Sequence, residues 1–126
     1  MHRSRLAGFI IDCKTDDLDR AAEFWSAALG YPLKPATEET SPIYRGFATP
    51  PDELHMEVQK VGHESRVHLD IEADDIAAEV RRLEALGAKR VGTVESWCVM
   101  EAPTGQRFCV VRVQRADFKE HANVWK

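Results

Sequence analysis

One short motif occurs twice in this chain, with matching surroundings, and it constrains the fold more than any other feature. Residues 11–18 read Ile-Asp-Cys-Lys-Thr-Asp-Asp-Leu, and residues 69–76 read Leu-Asp-Ile-Glu-Ala-Asp-Asp-Ile. Aligned, Asp12, Asp16 and Asp17 fall on Asp70, Asp74 and Asp75, and Leu18 falls on Ile76. Each window precedes a helical pattern that stops at Leu-Gly, first at Leu29-Gly30 and then at Leu86-Gly87. Pro51 and Pro103 each stand just before a strand-like run. Such a repeat describes two copies of one supersecondary unit, neither able to bury its own apolar face, so the two should associate.

Each copy reads as βαβββ. In the first, Leu6 to Cys13 is rich in β-formers. Asp16 or Asp17 then offers an N-cap carboxylate to the free amides of a helix start. Leu18, Ala21, Ala22, Trp25, Ala28 and Leu29 recur with a helical period and form one apolar stripe, and Gly30 suits a left-handed cap. Strands are expected around Tyr31–Lys34, Ile43–Ala48 and Leu54–Val61, with a turn at 49–52. In the second copy, Val67–Glu72 opens the unit, and a helix from Asp75 carries Ile76, Val80, Leu83 and Leu86 on one face. Strands follow near Ala88–Val94, Trp97–Met100 and Arg107–Val113, with Ala102–Gly105 turning the last pair. Helices are thus expected over about 16–29 and 75–86, in modules of about 6–61 and 66–113. Residues 114–126 read as a polar C-terminal tail.

Composition narrows the function classes. The chain has 126 residues, enough for one domain, and 44% of them are hydrophobic, enough for a core. Its net charge is −4 and its pI about 5.7. No cluster of Lys and Arg exceeds the pairs Arg81-Arg82 and Lys89-Arg90, so no nucleic-acid partner is expected. The apolar stretch from Leu6 to Ile11 is too short for a signal peptide or a membrane span, so the expected location is the cytoplasm, with no membrane partner. Cys13, Cys98 and Cys109 are odd in number and lack C-x-x-C spacing, which points to reduced, packed thiols.

Three segments carry a resemblance. Asp-Asp-Leu-Asp-Arg-Ala-Ala-Glu-Phe-Trp at 16–25 is similar to the first helix of the glyoxalase/bleomycin-resistance/dioxygenase (vicinal oxygen chelate) superfamily. Val-His-Leu-Asp-Ile-Glu-Ala-Asp-Asp at 67–75 resembles its strand opening the second module, and Ala-Pro-Thr-Gly-Gln-Arg-Phe-Cys-Val-Val at 102–111 its closing hairpin. The resemblance spans residues 6–113. It implies an α+β fold, in which two βαβββ modules form a curved, mixed eight-stranded sheet with the helices on the convex side. It also implies a homodimer and a small-molecule ligand. Metal-dependent members of the superfamily hold an ion with four residues from the first and fourth strands of the modules, usually His or Glu. Those positions fall here on Ile10, Glu57, His68 and Cys109. Ile10 cannot bind a metal, so no cofactor is expected. If a metal were present, Glu57, His68 and Cys109 would hold it.

Strand alternation extends this set, because side chains two apart share a face. Asp12 then goes with Ile10, Asp70 with His68, His55 and Gln59 with Glu57, and Arg107 with Cys109. The alternate residues, Ile11, Cys13, Leu69, Ile71, Met56, Val58, Phe108 and Val110, should pack under the helices. Glu57 and His68 are the candidate acid–base residues, and Ile10, Asp12, His55, Asp70, Arg107 and Cys109 are the candidate ligand contacts. The bland alternative is a wetted sheet face. Trp97, Tyr44, Phe24 and Trp25 read as packing residues. The function expected is binding of a small polar molecule without the usual metal. Its alternatives are a lyase or isomerase working through those acids and bases, with Arg107 holding an anionic group, and a drug-sequestering protein resembling the bleomycin-resistance members.

Overall fold

The computed structural model describes residues 1–35, 41–50 and 52–126; Pro51, marked above as preceding a strand, lies outside them. Strand β1 (His2–Lys14) leads to helix α1 (Leu18–Leu29), β2 (Tyr44–Gly46) and β3 (His55–Val61). Then come β4 (Arg66–Ala73), α2 (Ile76–Ala85), β5 (Lys89–Val94), β6 (Trp97–Glu101) and β7 (Arg107–Val111). A short α3 (Phe118–His121) and β8 (Asn123–Trp125) end the chain. The architecture is α+β, with three helices and eight strands of mixed sheet among the described residues. The residues form two units, an amino-terminal one of Phe9–Val67 and a carboxy-terminal one of Met1–Gly8 with His68–Lys126. Among the described residues no helix is long and apolar enough to cross a membrane.

The last aspartate of each repeat is a helix cap. The Asp17 carboxylate accepts the Arg20 amide at 3.1 Å, and the Asp75 carboxylate accepts the Ala78 amide at 3.0 Å. Each satisfies a donor that the first helical turn leaves without an internal partner. Gly30 closes α1 in the left-handed region, at φ 77°, where a side chain would be strained.

In the amino-terminal unit, the helical stripe meets alternate strand residues. Ile11, Leu18, Ala22, Phe47, Met56 and Val58 are buried together, and Phe9, Cys13, Trp25, Tyr31 and Leu33 pack on them. Trp25 packs as expected. Phe24 does not: it is 62% exposed, touching Trp25 edge-on at 5.1 Å between ring centroids. It lies one residue round the helix from the buried stripe. The strand expected at Tyr31–Lys34 shrinks to a single bridge between Leu33 and Phe47. Lys34 N–H still donates to the Gly46 carbonyl at 2.9 Å, but Pro32 and Pro35 on either side of this pair supply no amide hydrogens to extend the ladder.

The carboxy-terminal unit holds a complete βαβββ module. β4 runs parallel to β7, which pairs antiparallel with β6, and β6 with β5. Ala73, Val80, Leu83, Cys98, Met100 and Val110 make its core, joined by Ile71, Ile76, Ala88 and Phe108. Leu69 was expected under the helix but is 51% exposed, as is Leu86 at 67%.

The segment read as a polar tail is folded. β8 pairs antiparallel with the start of β1, His2 opposite Trp125 and Ser4 opposite Asn123. Two glutamates without exposed surface hold it there. Glu79 on α2 accepts hydrogen bonds from His2 Nε2 (2.8 Å), Ser4 Oγ (2.7 Å) and both Nε and Nη2 of Arg82 (2.8 Å each). Trp125 Nε1 donates to Ser4 Oγ at 2.8 Å, and the Arg82 guanidinium lies 3.9 Å above the Trp125 ring centroid. Glu72 on β4 accepts from Arg5 Nε (2.9 Å) and from the amides of Gln114 (2.7 Å) and Arg115 (3.0 Å).

Burial alone would raise the Glu79 carboxyl, but its bonds from Arg82, His2 and Ser4 outweigh burial and hold it below its ordinary value of 4.5. A carboxylate with a depressed folded-state pKa stabilises the fold in full above its unfolded value and loses that contribution as pH falls through the folded one. Glu79→Gln is therefore expected to cost about 3 kcal/mol at neutral pH by leaving the Arg82 charge unpaired. It should also flatten the acid side of a stability–pH curve from urea unfolding below pH 4.5.

Candidate functional site

Four of the eight sequence-derived site residues lie in the amino-terminal unit, and four in the carboxy-terminal unit. In the first, Ile10 is buried at 4% exposure. Asp12 is buried beside Arg66, whose Nε lies 3.8 Å from its Oδ2. His55 Nε2 donates to Glu57 Oε1 at 2.8 Å. Gln59 Nε2 donates to the Tyr44 hydroxyl at 3.0 Å, Tyr44 standing directly opposite Gln59 across the β2–β3 ladder. Tyr44 thus joins a polar row with His55 and Glu57, on the face of β3 away from the Met56 and Val58 core.

In the carboxy-terminal unit, the parallel pair of β4 and β7 sets Asp70 opposite Cys109. His68 sits two residues before Asp70 on the same face, so three side chains of different chemistry meet. One donor atom from each of His68, Asp70 and Cys109 lies within 4.8 Å of the others. Nε2 of His68 is 3.5 Å from Oδ1 of Asp70, a close ionic contact but long for a hydrogen bond. Asp70 Oδ1 is buried and has no hydrogen-bond partner among the described residues. Such an oxygen costs stability unless something else satisfies it. Arg107, on the same face of β7, is paired with Glu101 across the ladder, Nε to Oε1 at 3.2 Å.

The residues opposite this face behave as structural fillers. Burial pushes the Cys98 thiol up. Burial, and then the Asp12 carboxylate, push the Cys13 thiol up as well. Neither is poised as a nucleophile. Trp97, read from the sequence as core, alternates with the buried Cys98 and Met100 and so shares the face of Cys109. Sequence reasoning also missed Glu72 and Glu79 as buried groups. For Glu72 a signal existed, since it continues the His68–Asp70 alternation along β4.

Of the four metal-ligand positions implied by the superfamily resemblance, Ile10 has no donor atom, so the full four-residue set is not available to an ion.

The glyoxalase-like domain family model matches residues 8–111. The chain belongs to that family. Solved structures with the same fold share little sequence with it. The Mn(II)-bound glyoxalase from Novosphingobium aromaticivorans has a TM-score of 0.59 at 20% identity, over 92% of this chain and 44% of that one. The chain therefore spans under half of that glyoxalase. A structure named as NAD-dependent benzaldehyde dehydrogenase from Legionella pneumophila has a TM-score of 0.58 at 11% identity, over 84% and 99% of the two chains. A methylmalonyl-CoA epimerase in complex with methylmalonyl-CoA and NH4+ has a TM-score of 0.56 at 13% identity, over 90% and 98%. No curated protein matches the chain significantly. At these identities the likeness is one of fold.

The state of Asp70 separates a binding role from a structural one in this glyoxalase-like domain. In chelator, Asp70→Asn is expected to leave stability unchanged or raise it by up to about 1 kcal/mol, because it removes a buried charge whose oxygen lacks a hydrogen bond. Urea unfolding measures this, and a loss above about 1 kcal/mol would mark Asp70 as a structural anchor instead.

Proposed function

We propose that this glyoxalase-like domain binds a small polar molecule on the β4–β7 face, with Asp70 receiving a cationic or hydrogen-bond-donating group. The observation that carries this reading is the buried Asp70 oxygen without a hydrogen-bond partner, held beside His68 and Cys109. A donor group of a ligand would satisfy that oxygen and recover the cost of its burial. Arg107 gives its Nε to Glu101, which leaves its other guanidinium N–H groups to meet an anionic ligand group. Binding by this face needs no bond to change. The reading includes a homodimer as the working form, checked by sedimentation velocity at micromolar concentration.

The test uses amine- and guanidine-bearing small molecules in thermal-shift and calorimetric titrations, in the presence of chelator. A true ligand at a hundred times its Kd stabilises the wild-type fold by about 2.7 kcal/mol. That stabilisation should vanish in Asp70→Asn and persist in Cys13→Ser. Equal stabilisation of wild type and Asp70→Asn would remove Asp70 as the anchor.

A second reading, proton transfer next to a carbonyl, is favoured by the His68–Asp70 contact. A carboxylate beside an imidazole orients it and stabilises its protonated form, which suits a general base. The likeness to the epimerase fold suggests methylmalonyl-CoA as a first substrate to try. Deuterium entering its α-carbon in D2O, and lost in His68→Ala, is the expected result; no exchange above background would leave the binding reading alone.

A further inference from the structure

The face that carries Asp70 continues across β7, β6 and β5, all in one unit, and strand register sets its side chains in rows. Lys89 stands opposite Glu101, and Glu101 opposite Arg107. The next row runs Gly92, Val99, Cys109, Asp70, each opposite the one after it. Beyond it, Val94 lies opposite Trp97 and Val111 opposite Glu72. A bulge sets this arrangement, because the β5–β6 register shifts between Arg90 and Gly92 and makes Val91 an extra residue. Plain alternation from Lys89 would turn Val91 and Thr93 to this face; the bulge brings Gly92 and Val94 there instead. A Cβ on Gly92 would meet nothing within 4 Å, so the space beside Val99 is open.

Charge is sorted by row as well. Lys89 and Arg107 flank the single carboxylate of Glu101, so the first row is left net positive. Lys89 is exposed, and Arg107 gives only its Nε to Glu101, at 3.2 Å. The second row holds one acid, Asp70, whose buried Oδ1 has no hydrogen bond among the described residues. From this pattern we infer that the ligand is a small zwitterion of the α-amino-acid class. Its ammonium meets Asp70, its carboxylate meets Arg107 with Lys89 beyond, and an apolar side chain lies over Val99 and the space at Gly92. The inference deepens the binding reading above and rests on Asp70 as its anchor.

Spacing and charge both fit such a molecule. Asp70 lies opposite Cys109, and Arg107 stands two residues before Cys109 on β7. A strand spacing of about 4.8 Å and two residues of about 3.3 Å put Asp70 and Arg107 roughly 8 Å apart. An ammonium and a carboxylate joined through one carbon, with a bond of about 2.8 Å at each end, span about the same distance. One acid in one row and a net positive neighbouring row complement a ligand carrying one charge of each sign. Val94, Val99 and Trp97 supply the apolar surface on the side away from the Lys89–Arg107 row.

Calorimetric titrations of the full-length protein in chelator, with L-leucine, leucinamide, isoamylamine and glycine, test this. Leucinamide and isoamylamine keep the amine and lack the carboxylate, and glycine lacks the apolar side chain. Wild type should bind leucine about tenfold or more tightly than any of the other three, a comparison that needs no variant to fold. In Arg107→Gln the advantage of leucine over leucinamide should fall to about twofold or less. In Gly92→Val the advantage of leucine over glycine should shrink by about threefold or more, since the added side chain fills the open space. Cys13→Ser should keep both advantages. Leucine binding no better than leucinamide, while amines still require Asp70, would overturn the zwitterion and leave Asp70 as the anchor. An advantage of leucine over leucinamide undiminished in Arg107→Gln, or one over glycine undiminished in Gly92→Val, would overturn the assigned contacts. Amine binding that is absent, or unchanged in Asp70→Asn, would remove the anchor and this inference with it.

Discussion

Glu79 sits at the base of the carboxy-terminal unit, fully removed from water and accepting four hydrogen bonds from three side chains. A carboxylate in that position is tolerable only because Arg82 is bidentate to it and Ser4 and His2 complete its shell. Each partner is itself tied to another element. Ser4 and His2 belong to β1, Arg82 lies under the ring of Trp125 in β8, and Trp125 returns a bond to Ser4. The chain's two ends are thereby held to α2. Glu72 does the same for residues 114 and 115, so the placement of the last dozen residues follows from two buried charges rather than from an apolar stripe.

With the ends secured, β4 is fixed between a dry face and a polar one. Ile71 and Ala73 pack under α2, while His68, Asp70 and Glu72 point the other way. Alternation does most of this sorting, because a strand must present successive side chains to opposite faces. The parallel neighbour β7 does the rest by setting Cys109 beside Asp70. A one-residue slip of β4 would turn His68 and Asp70 toward Val80, Leu83 and Met100, where polar side chains are costly. The apolar core and the polar cluster therefore enforce the same register from opposite faces.

Glu72 and Glu79 differ from Asp70 in a way that bears on function. Glu72 and Glu79 are saturated with donors, and Asp70 is not. A polar group left under-satisfied inside a well-bonded structure is a cost the fold carries, and such costs collect where a ligand or ion is to be received. His55 with Glu57 and Tyr44 with Gln59 make the corresponding polar row in the amino-terminal unit, there with its bonds already closed internally.

Much of the architecture was legible in the chain. The duplicated Asp-Asp motif marked both helix starts, because an N-cap needs only a short acidic side chain at one local position. The periods of the two helices and the alternation of Ile11, Met56, Val58, Ile71 and Val110 marked the cores. The family followed from motifs in the right order. What the sequence could not show were relations between distant residues. β8 has three residues, too few for a period, and exists because β1 offers an edge and Glu79 a partner. The strand expected at Tyr31–Lys34 shrank where Pro32 and Pro35 withhold donors, and Phe24 and Leu69 stand exposed. His68, Asp70, Arg107 and Cys109 could be assigned to a face from the sequence, but not their partners. That Asp70 stands beside Cys109, with an oxygen that has no hydrogen bond among the described residues, depends on strands far apart in the chain, and the Arg107–Glu101 pair depends on the register of the β6–β7 hairpin. Local periodicity determines which way a side chain points; only tertiary structure decides what it meets.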